Sequence, residues 1–197
     1  MLYNQIPKNI LNKISVDLNI DLKIINIHIK EKENLQTRSD KLNVVASYIE
    51  KDLDVGDVDH PKSYFKAAMP MRWGHMFGGA QNFVYFAGET EETIFGLGGS
   101  LQHVIGEQRA QSSVKRPNSF TPSILEALKQ LDSQSDFGIS SHKVTNQEDP
   151  LERVASAERW LKSGPPEPLE FLAKRLVEKS INSKHVLLGT PIYVACT

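Results

Sequence analysis

Residues 83–106 read FVYFAGETEETIFGLGGSLQHVIG, in which two runs of β-forming residues lie on either side of an acidic tetrapeptide. The runs are Asn82–Gly88 and Thr93–Phe95, and the tetrapeptide between them is Glu89-Thr90-Glu91-Glu92. Strand-forming segments separated by a short polar stretch are typical of a hairpin. The sequence therefore predicts a β-hairpin that leads directly into a glycine-rich segment.

The glycine-rich segment from Gly96 to Gly106 predicts a turn into a helix. Ser100 is a favoured N-cap residue, and glycines before it tolerate the positive φ that a tight turn needs. Bare N–H groups at a helix start attract anions, so we expect Gly98, Gly99 and Ser100 to contact the phosphate of a small ligand. A tight connection with Ser100 as its cap explains the same residues without a ligand, and both interpretations stay open.

Two familiar phosphate-binding motifs do not fit this segment. The third glycine of the dinucleotide motif G-x-G-x-x-G falls on Leu101, and no lysine lies between Lys66 and Lys115 to complete a P-loop. The sequence therefore excludes the Rossmann and P-loop classes.

Other candidate site residues lie close to the hairpin in the sequence. Arg72 and Trp73 combine a guanidinium with an indole, which suits stacking on a base or holding a phosphate. His103 lies one turn into the predicted helix and is a candidate acid or base, with Glu89 as a candidate base or metal ligand. Each also has a purely structural explanation, as a core or solvated side chain, and the catalytic residues stay unknown.

The composition narrows the class of protein. The chain has 197 residues, a formal net charge of −1 and one cysteine, Cys196. A net charge close to zero argues against a general nucleic-acid binder. A single cysteine is typical of a protein in a reducing compartment. No stretch is long and apolar enough for a membrane span, and no histidine spacing matches a zinc site. We expect a cytoplasmic protein without a structural metal, and no cofactor can be named.

The remaining periodicities predict an α+β fold, a mixed β-sheet with helices packed mainly on one face. The predicted strands outside the hairpin are Asp21–Lys30, Tyr64–Trp73 with an internal proline that suggests an edge or a bulge, and a C-terminal strand at His185–Cys196. The predicted helices are Pro7–Leu18, Thr37–Lys51, one that begins at Asp149-Pro150, and one that carries the stripe Leu169, Leu172, Ala173, Leu176 and Val177.

This pattern divides the chain into three parts within what we expect to be one domain. Residues 1–106 form an α+β core with the glycine-rich turn, and residues 107–122 form a flexible connection. Residues 123–197 form a helical segment that returns its last strand to the core sheet.

Several ordered motifs carry a resemblance that runs from end to end. They are YxQIP from Tyr3, MPMRWG from Met69, VYFxG from Val84, GLGGSLxHVIG from Gly96 and LLGxPxYVA from Leu187. Together they resemble an uncharacterised bacterial domain family of unknown function. The relatives begin with an additional strand before the first motif. The resemblance therefore implies one of two situations. Either the true start lies upstream, or the sheet is one strand short here and the missing strand is replaced by another element, or by a second copy or a protein partner at an uncovered edge.

Two functional hypotheses follow. The first is a soluble ligand-sensing or interaction module that binds a nucleotide-like or other phosphorylated ligand, in bacterial signalling or defence. The second is an enzyme that acts on a phosphorylated substrate with His103 as acid or base.

Overall fold

The computed structural model describes residues 5–17, 35–78, 81–100, 151, 154, 165–181 and 183–197. Strands predominate in these ranges. The elements are α1 (Lys8–Asp17), α2 (Leu35–Asp52), β1 (Val55–Gly56), β2 (Tyr64–Gly78), β3 (Gln81–Glu89), β4 (Thr93–Ser100), β5 (Glu167–Ile181) and β6 (Lys184–Cys196). In the described ranges, neither α1 nor α2 has the length and apolar character needed to cross a membrane.

Five of the strands form a closed barrel in the order β2-β3-β4-β6-β5, because β5 pairs again with β2. The pairs are antiparallel except for β4 with β6, which is parallel. Closure depends on the length of β2. Its first half, Tyr64–Met71, pairs with β5, and its second half, Arg72–Gly78, pairs with β3. One strand therefore joins both ends of the sheet.

The interior of the barrel is a compact apolar core to which all five strands contribute. Its buried members include Phe65, Met71, Phe95, Leu97, Leu169, Phe171 and Leu187, with Phe86 packed against them. Val58, in the loop between β1 and β2, is also buried in this cluster. Alternate residues of a strand point to opposite sides, and the other side of each strand faces outward.

Helices cover parts of the outer surface. The first cover is formed by α1 and α2, where Ile14, Val44 and Ile49 pack with Tyr64 and Leu172. The second is a helical segment that contains Leu151 and Val154, which pack over Phe83, Tyr85 and Leu188. The barrel is therefore packed with apolar side chains on the inside and on much of the outside.

The prediction of an open mixed sheet with helices mainly on one face is wrong, because the sheet closes on itself. Closure removes the free edges that an open sheet has. The sequence gives no local sign of this closure, since it depends on the register between β2 and β5, which are about 100 residues apart in the chain.

The largest error in a single element concerns β5, which the spacing of Leu169, Leu172, Leu176 and Val177 had predicted as a helix. In the barrel, Leu169 faces the interior and Leu172 faces the α1–α2 cover. A strand buried on both faces has a nearly continuous apolar sequence, and such a run also satisfies helical spacing.

Other elements agree with their predictions. The two N-terminal helices are confirmed, α2 beginning two residues earlier than predicted, and the hairpin is confirmed as β3 and β4. The predicted C-terminal strand is β6, paired on both sides. Leu151 and Val154 are helical, as the N-cap at Asp149 predicts. The predicted strand Asp21–Lys30 and the connection at 107–122 lie outside the described residues.

Candidate functional site

The first candidate site is an aromatic cluster at the rim of the barrel, defined here as Trp73, His75, Phe86 and Glu167. Trp73 lies directly opposite Phe86 across the β2–β3 pair, and their ring centroids are 6.5 Å apart. The ring of His75 lies 5.9 Å from that of Trp73 on the same face of β2. All three residues are on the interior-facing side of their strands, so the cluster continues the barrel core outward to solvent.

Trp73 is the large apolar side chain that this cluster exposes. It is 46% exposed, whereas most large apolar residues of the barrel strands are buried. Its indole N–H donates a hydrogen bond of 3.1 Å to Oε2 of Glu167, the first residue of β5. This bond holds the indole between β2 and β5. A flat, fixed aromatic surface suits stacking of another ring.

The structure does not bring Arg72 together with Trp73. Adjacent strand residues point to opposite sides, so Trp73 lies at the rim of the interior and Arg72 on the outer surface of β2. The expected combination of stacking and phosphate binding by these two side chains is therefore not formed within β2.

The predicted glycine turn is also different in the structure. Gly96, Gly98, Gly99 and Ser100 lie within β4, where Gly98 pairs with Tyr85 and Ser100 with Phe83. Successive N–H groups of an extended strand point to opposite sides. Gly98, Gly99 and Ser100 therefore do not aim consecutive amides at a single anion.

Gly96, and Gly88 in the neighbouring strand β3, instead make room for aromatic rings. A Cβ atom on Gly96 would overlap the hydroxyl of Tyr85, and one on Gly88 would come within 2.8 Å of Phe95. Tyr85 is buried, which raises its pKa above the ordinary value. Within the part of the chain that the structure describes, its hydroxyl has no hydrogen-bond partner. Gly96 of β4 and Gly88 of β3 thus have a packing explanation.

Glu89, the candidate base that the structure describes, does not lie beside Gly99 of the predicted phosphate site. Glu89, at the end of β3, has a carboxylate oxygen 3.6 Å from Nζ of Lys184. Gly99 lies opposite Val84, and Val84 is five residues before Glu89 in β3. Five residues of a strand span about 17 Å, so Glu89 lies far from Gly99. His103, the candidate acid or base, lies outside the described residues. No group of three potential metal ligands occurs among the residues that the structure describes.

A second feature, not identified from the sequence, is a charged groove of about 700 Å³ on the outer surface. It lies between the end of α2, the β1–β2 loop and the outward faces of β2, β5 and β6. Its polar side chains include Glu50, Asp57, His60, Lys66, Glu170 and Tyr193. In the sequence, the acidic stretch at 52–59 is the one visible part of this groove. The groove as a whole cannot be seen there, because its residues come from five separate segments.

Ion pairs organise this groove. Nζ of Lys66 lies 2.9 Å from Glu50, and hydrogen bonding to that carboxylate raises the pKa of Lys66. The backbone N–H of His60 donates to Asp57 at 2.6 Å, which lowers the pKa of the Asp57 carboxyl. Burial, followed by the nearby Glu170 and Glu50 charges, raises the pKa of Tyr193. Glu170 is exposed and has no ion-pair partner among the described residues.

The comparisons with known proteins identify a family but no activity. A family model described as "Family of unknown function (DUF7019)" matches residues 1–197, and the chain belongs to that family. The searches of curated proteins and of solved structures found no match. The predicted membership of a family of unknown function is confirmed, whereas the bacterial origin and the motifs stay predictions.

Proposed function

We propose that this member of the DUF7019 family is a ligand-binding module whose aromatic cluster stacks a planar, nucleobase-like ring on Trp73. The observation that carries the proposal is the exposure of Trp73, 46%, beside the half-buried Phe86 at the rim of the barrel core. Base–aromatic stacking contributes about 1–3 kcal/mol per base. A ring that covers the indole would also remove its apolar surface from water.

Glu167 and His75 add polar groups beside the stacking surface of Trp73. One oxygen of the Glu167 carboxylate holds the Trp73 indole, and the carboxylate has further acceptor capacity for the amino group of a base. His75 adds a ring nitrogen beside the stacking surface. These residues recognise the ring of a nucleotide-like ligand. The extended conformation at Gly98–Ser100 does not favour a phosphate contact there.

Fold analogy supports the same class of ligand. Five-stranded Greek-key barrels such as the OB-fold bind oligonucleotides and oligosaccharides, although a fold by itself does not assign a function. The net charge of −1 favours a small ligand over a long nucleic acid. We place this binding in the cytoplasm, in bacterial signalling or defence, as the single cysteine and the sequence resemblance suggest. The enzymatic alternative depends on His103 and stays a prediction.

Tryptophan fluorescence tests this proposal. A Trp160→Phe background leaves Trp73 as the single indole, and we expect adenosine, AMP or a cyclic nucleotide to quench its emission saturably. Trp73→Ala should weaken binding by about five- to 150-fold by calorimetry, since base–aromatic stacking contributes about 1–3 kcal/mol. His60→Ala, in the charged groove, is the matched control and should bind normally.

Two results would contradict the proposal. The first is the absence of saturable quenching by any nucleoside, nucleotide or cyclic nucleotide at millimolar concentration. The second is unchanged affinity in a folded Trp73→Ala variant, which would place the ligand elsewhere.

A further inference from the structure

Two rows of outward-facing side chains meet at the charged groove. The strand registers place one residue each of β2, β5 and β6 side by side in the first row, namely Lys66, Leu172 and Tyr193. In the second row, Glu170 of β5 lies between Ala68 and Ala195. Glu170 is therefore a diagonal neighbour of both Lys66 and Tyr193, at a separation that long side chains can bridge.

Lys66 is nevertheless paired elsewhere, with Glu50 at the end of α2. Nζ of Lys66 donates a hydrogen bond of 2.9 Å to Oε1 of Glu50. A second lysine of the groove, Lys62, has its Nζ 3.5 Å from Oδ2 of Asp54. Both lysines of the described lining thus have an acidic partner, whereas Glu170 has no ion-pair partner among the described residues.

The groove therefore carries an excess of negative charge. Among its described lining residues, the carboxylates of Glu50, Asp57 and Glu170 outnumber the ammonium groups of Lys62 and Lys66. This excess repels an anionic ligand and attracts a cationic one. The volume of the groove, about 700 Å³, is within the range of small-molecule sites. A small cation is accordingly the class of ligand that the groove favours.

Tyr193 adds a hydroxyl beside the unpaired carboxylate. Burial, followed by the charges of Glu170 and Glu50, raises the pKa of Tyr193, so the phenol is neutral at neutral pH and both carboxylates lie near it. Its oxygen can accept a hydrogen bond. An ammonium group has three donors and no acceptor, which matches the oxygens that Glu170, Glu50 and Tyr193 provide. No group of three potential metal ligands occurs in the described part of the chain, so the donor set suits an organic cation better than a metal.

We propose that the charged groove binds a small aliphatic amine, whose ammonium group lies between Glu170 and Tyr193. The Glu170 carboxylate neutralises the charge, and the Tyr193 hydroxyl and the second oxygen of Glu50 accept the other N–H groups. The aliphatic stem lies over the apolar part of the lining, which is formed by Val55, Ala67, Ala68 and Phe171. The methyl side chain of Ala68, beside Glu170, leaves room for this stem.

Two ligands with the same stem test whether the positive charge is needed. We expect pentylamine, at constant neutral pH, to shift the amide signals of Ala68 and Glu170 saturably in the ¹⁵N-labelled full-length chain. Pentanol has a hydroxyl in place of the ammonium group and is the matched control. It should bind about two- to fivefold more weakly, the range of an exposed ion pair. Equal binding of the two ligands, or no saturable shift with pentylamine at millimolar concentration, would overturn the proposal.

Charge reversal on β5 locates the ammonium group. Glu170→Lys should weaken pentylamine binding about fivefold or more and leave pentanol binding unchanged, because attraction becomes repulsion. Glu178→Lys makes the same charge change eight residues further along β5, outside the described lining, and should bind pentylamine normally. Unchanged pentylamine affinity in Glu170→Lys would contradict the proposed position.

Two further variants define the limits of the site. Tyr193→Phe removes one acceptor and should weaken pentylamine binding about two- to fivefold, as expected for one hydrogen bond. Equal affinity in this variant would remove Tyr193 from the site. Trp73→Ala should bind pentylamine as the unmodified chain does, which separates this groove from the aromatic cluster. A loss of pentylamine binding in Trp73→Ala would place the amine at the rim instead.

Discussion

At the scale of single residues, Gly96 in β4 has a steric role that the glycine-rich segment of the sequence does not reveal. The ring of Tyr85 crosses from β3 over Gly96, where a side chain would collide with its hydroxyl. Gly99, three residues later, has no such neighbour, since an added Cβ would approach only Pro191, at 3.2 Å. Two glycines of one motif therefore have different requirements for space.

This difference predicts a contrast between Gly96→Ala and Gly99→Ala. Gly96→Ala forces the buried Tyr85 ring to move, and overpacking of this kind costs about 1–3 kcal/mol. Gly99→Ala should change the free energy of unfolding by less than about 1 kcal/mol, because its small clash is offset by reduced chain entropy in the unfolded state. Urea denaturation measures both, and equal losses would show that Tyr85 does not set the requirement at Gly96.

At the scale of elements, the β3–β4 turn is attached to the β1–β2 loop by one side chain. The hydroxyl of Thr90 donates to Oδ1 of Asp59 at 2.5 Å and accepts the N–H of Thr93 at 2.9 Å. The same loop places Val58 in the barrel core. The β3–β4 turn therefore holds the β1–β2 loop in place. This loop closes one part of the barrel and forms one wall of the groove.

We expect Thr90→Ala to destabilise the protein by about 1–2 kcal/mol, since it removes the hydrogen bonds of the Thr90 hydroxyl, including the one to the charged Asp59. A double-mutant cycle with Asp59→Ala should give a coupling free energy of about 1 kcal/mol. Thr197→Ala, at the exposed C-terminus, is the control and should cost less than about 0.5 kcal/mol. Additive effects of the Thr90 and Asp59 substitutions would exclude the link between turn and loop.

At the scale of the whole molecule, closure of the barrel depends on the core where β2, β4 and β5 meet. Phe171 of β5 contacts Phe65 of β2 edge to face, with centroids 5.6 Å apart. It also packs against Phe95 of β4, at 5.3 Å. This aromatic group joins segments that are distant in the chain, so it stabilises the closed form of the sheet.

Phe171→Ala should therefore lower the free energy of unfolding by about 3–5 kcal/mol, the usual cost of removing a buried phenylalanine. Trp73→Ala should cost about 1 kcal/mol or less, because that side chain is half exposed at the rim. Thermal and urea unfolding compare the two variants. Similar losses would mean that the rim contributes as much to stability as the interior.

The sequence by itself determined the elements whose signals are local. An amphipathic period locates α1 and α2, two runs of β-forming residues with an acidic break locate the β3–β4 hairpin, and the last apolar run locates β6. It also identified Trp73 as a candidate binding residue, because an indole beside a guanidinium suits stacking on a base. These features depend on residues within about 20 positions of one another.

Only the tertiary structure decided the closure of the barrel, the strand conformation of β5 and the positions of the candidate sites. A run that is apolar on both faces fits a helix or a doubly buried strand equally well, and pairing with β2 and β6 selects the strand. Arg72 and Trp73 are separated because they are adjacent residues of the strand β2. The charged groove is formed by contacts between distant segments. Long-range pairing makes these choices, and no short window of sequence contains both partners.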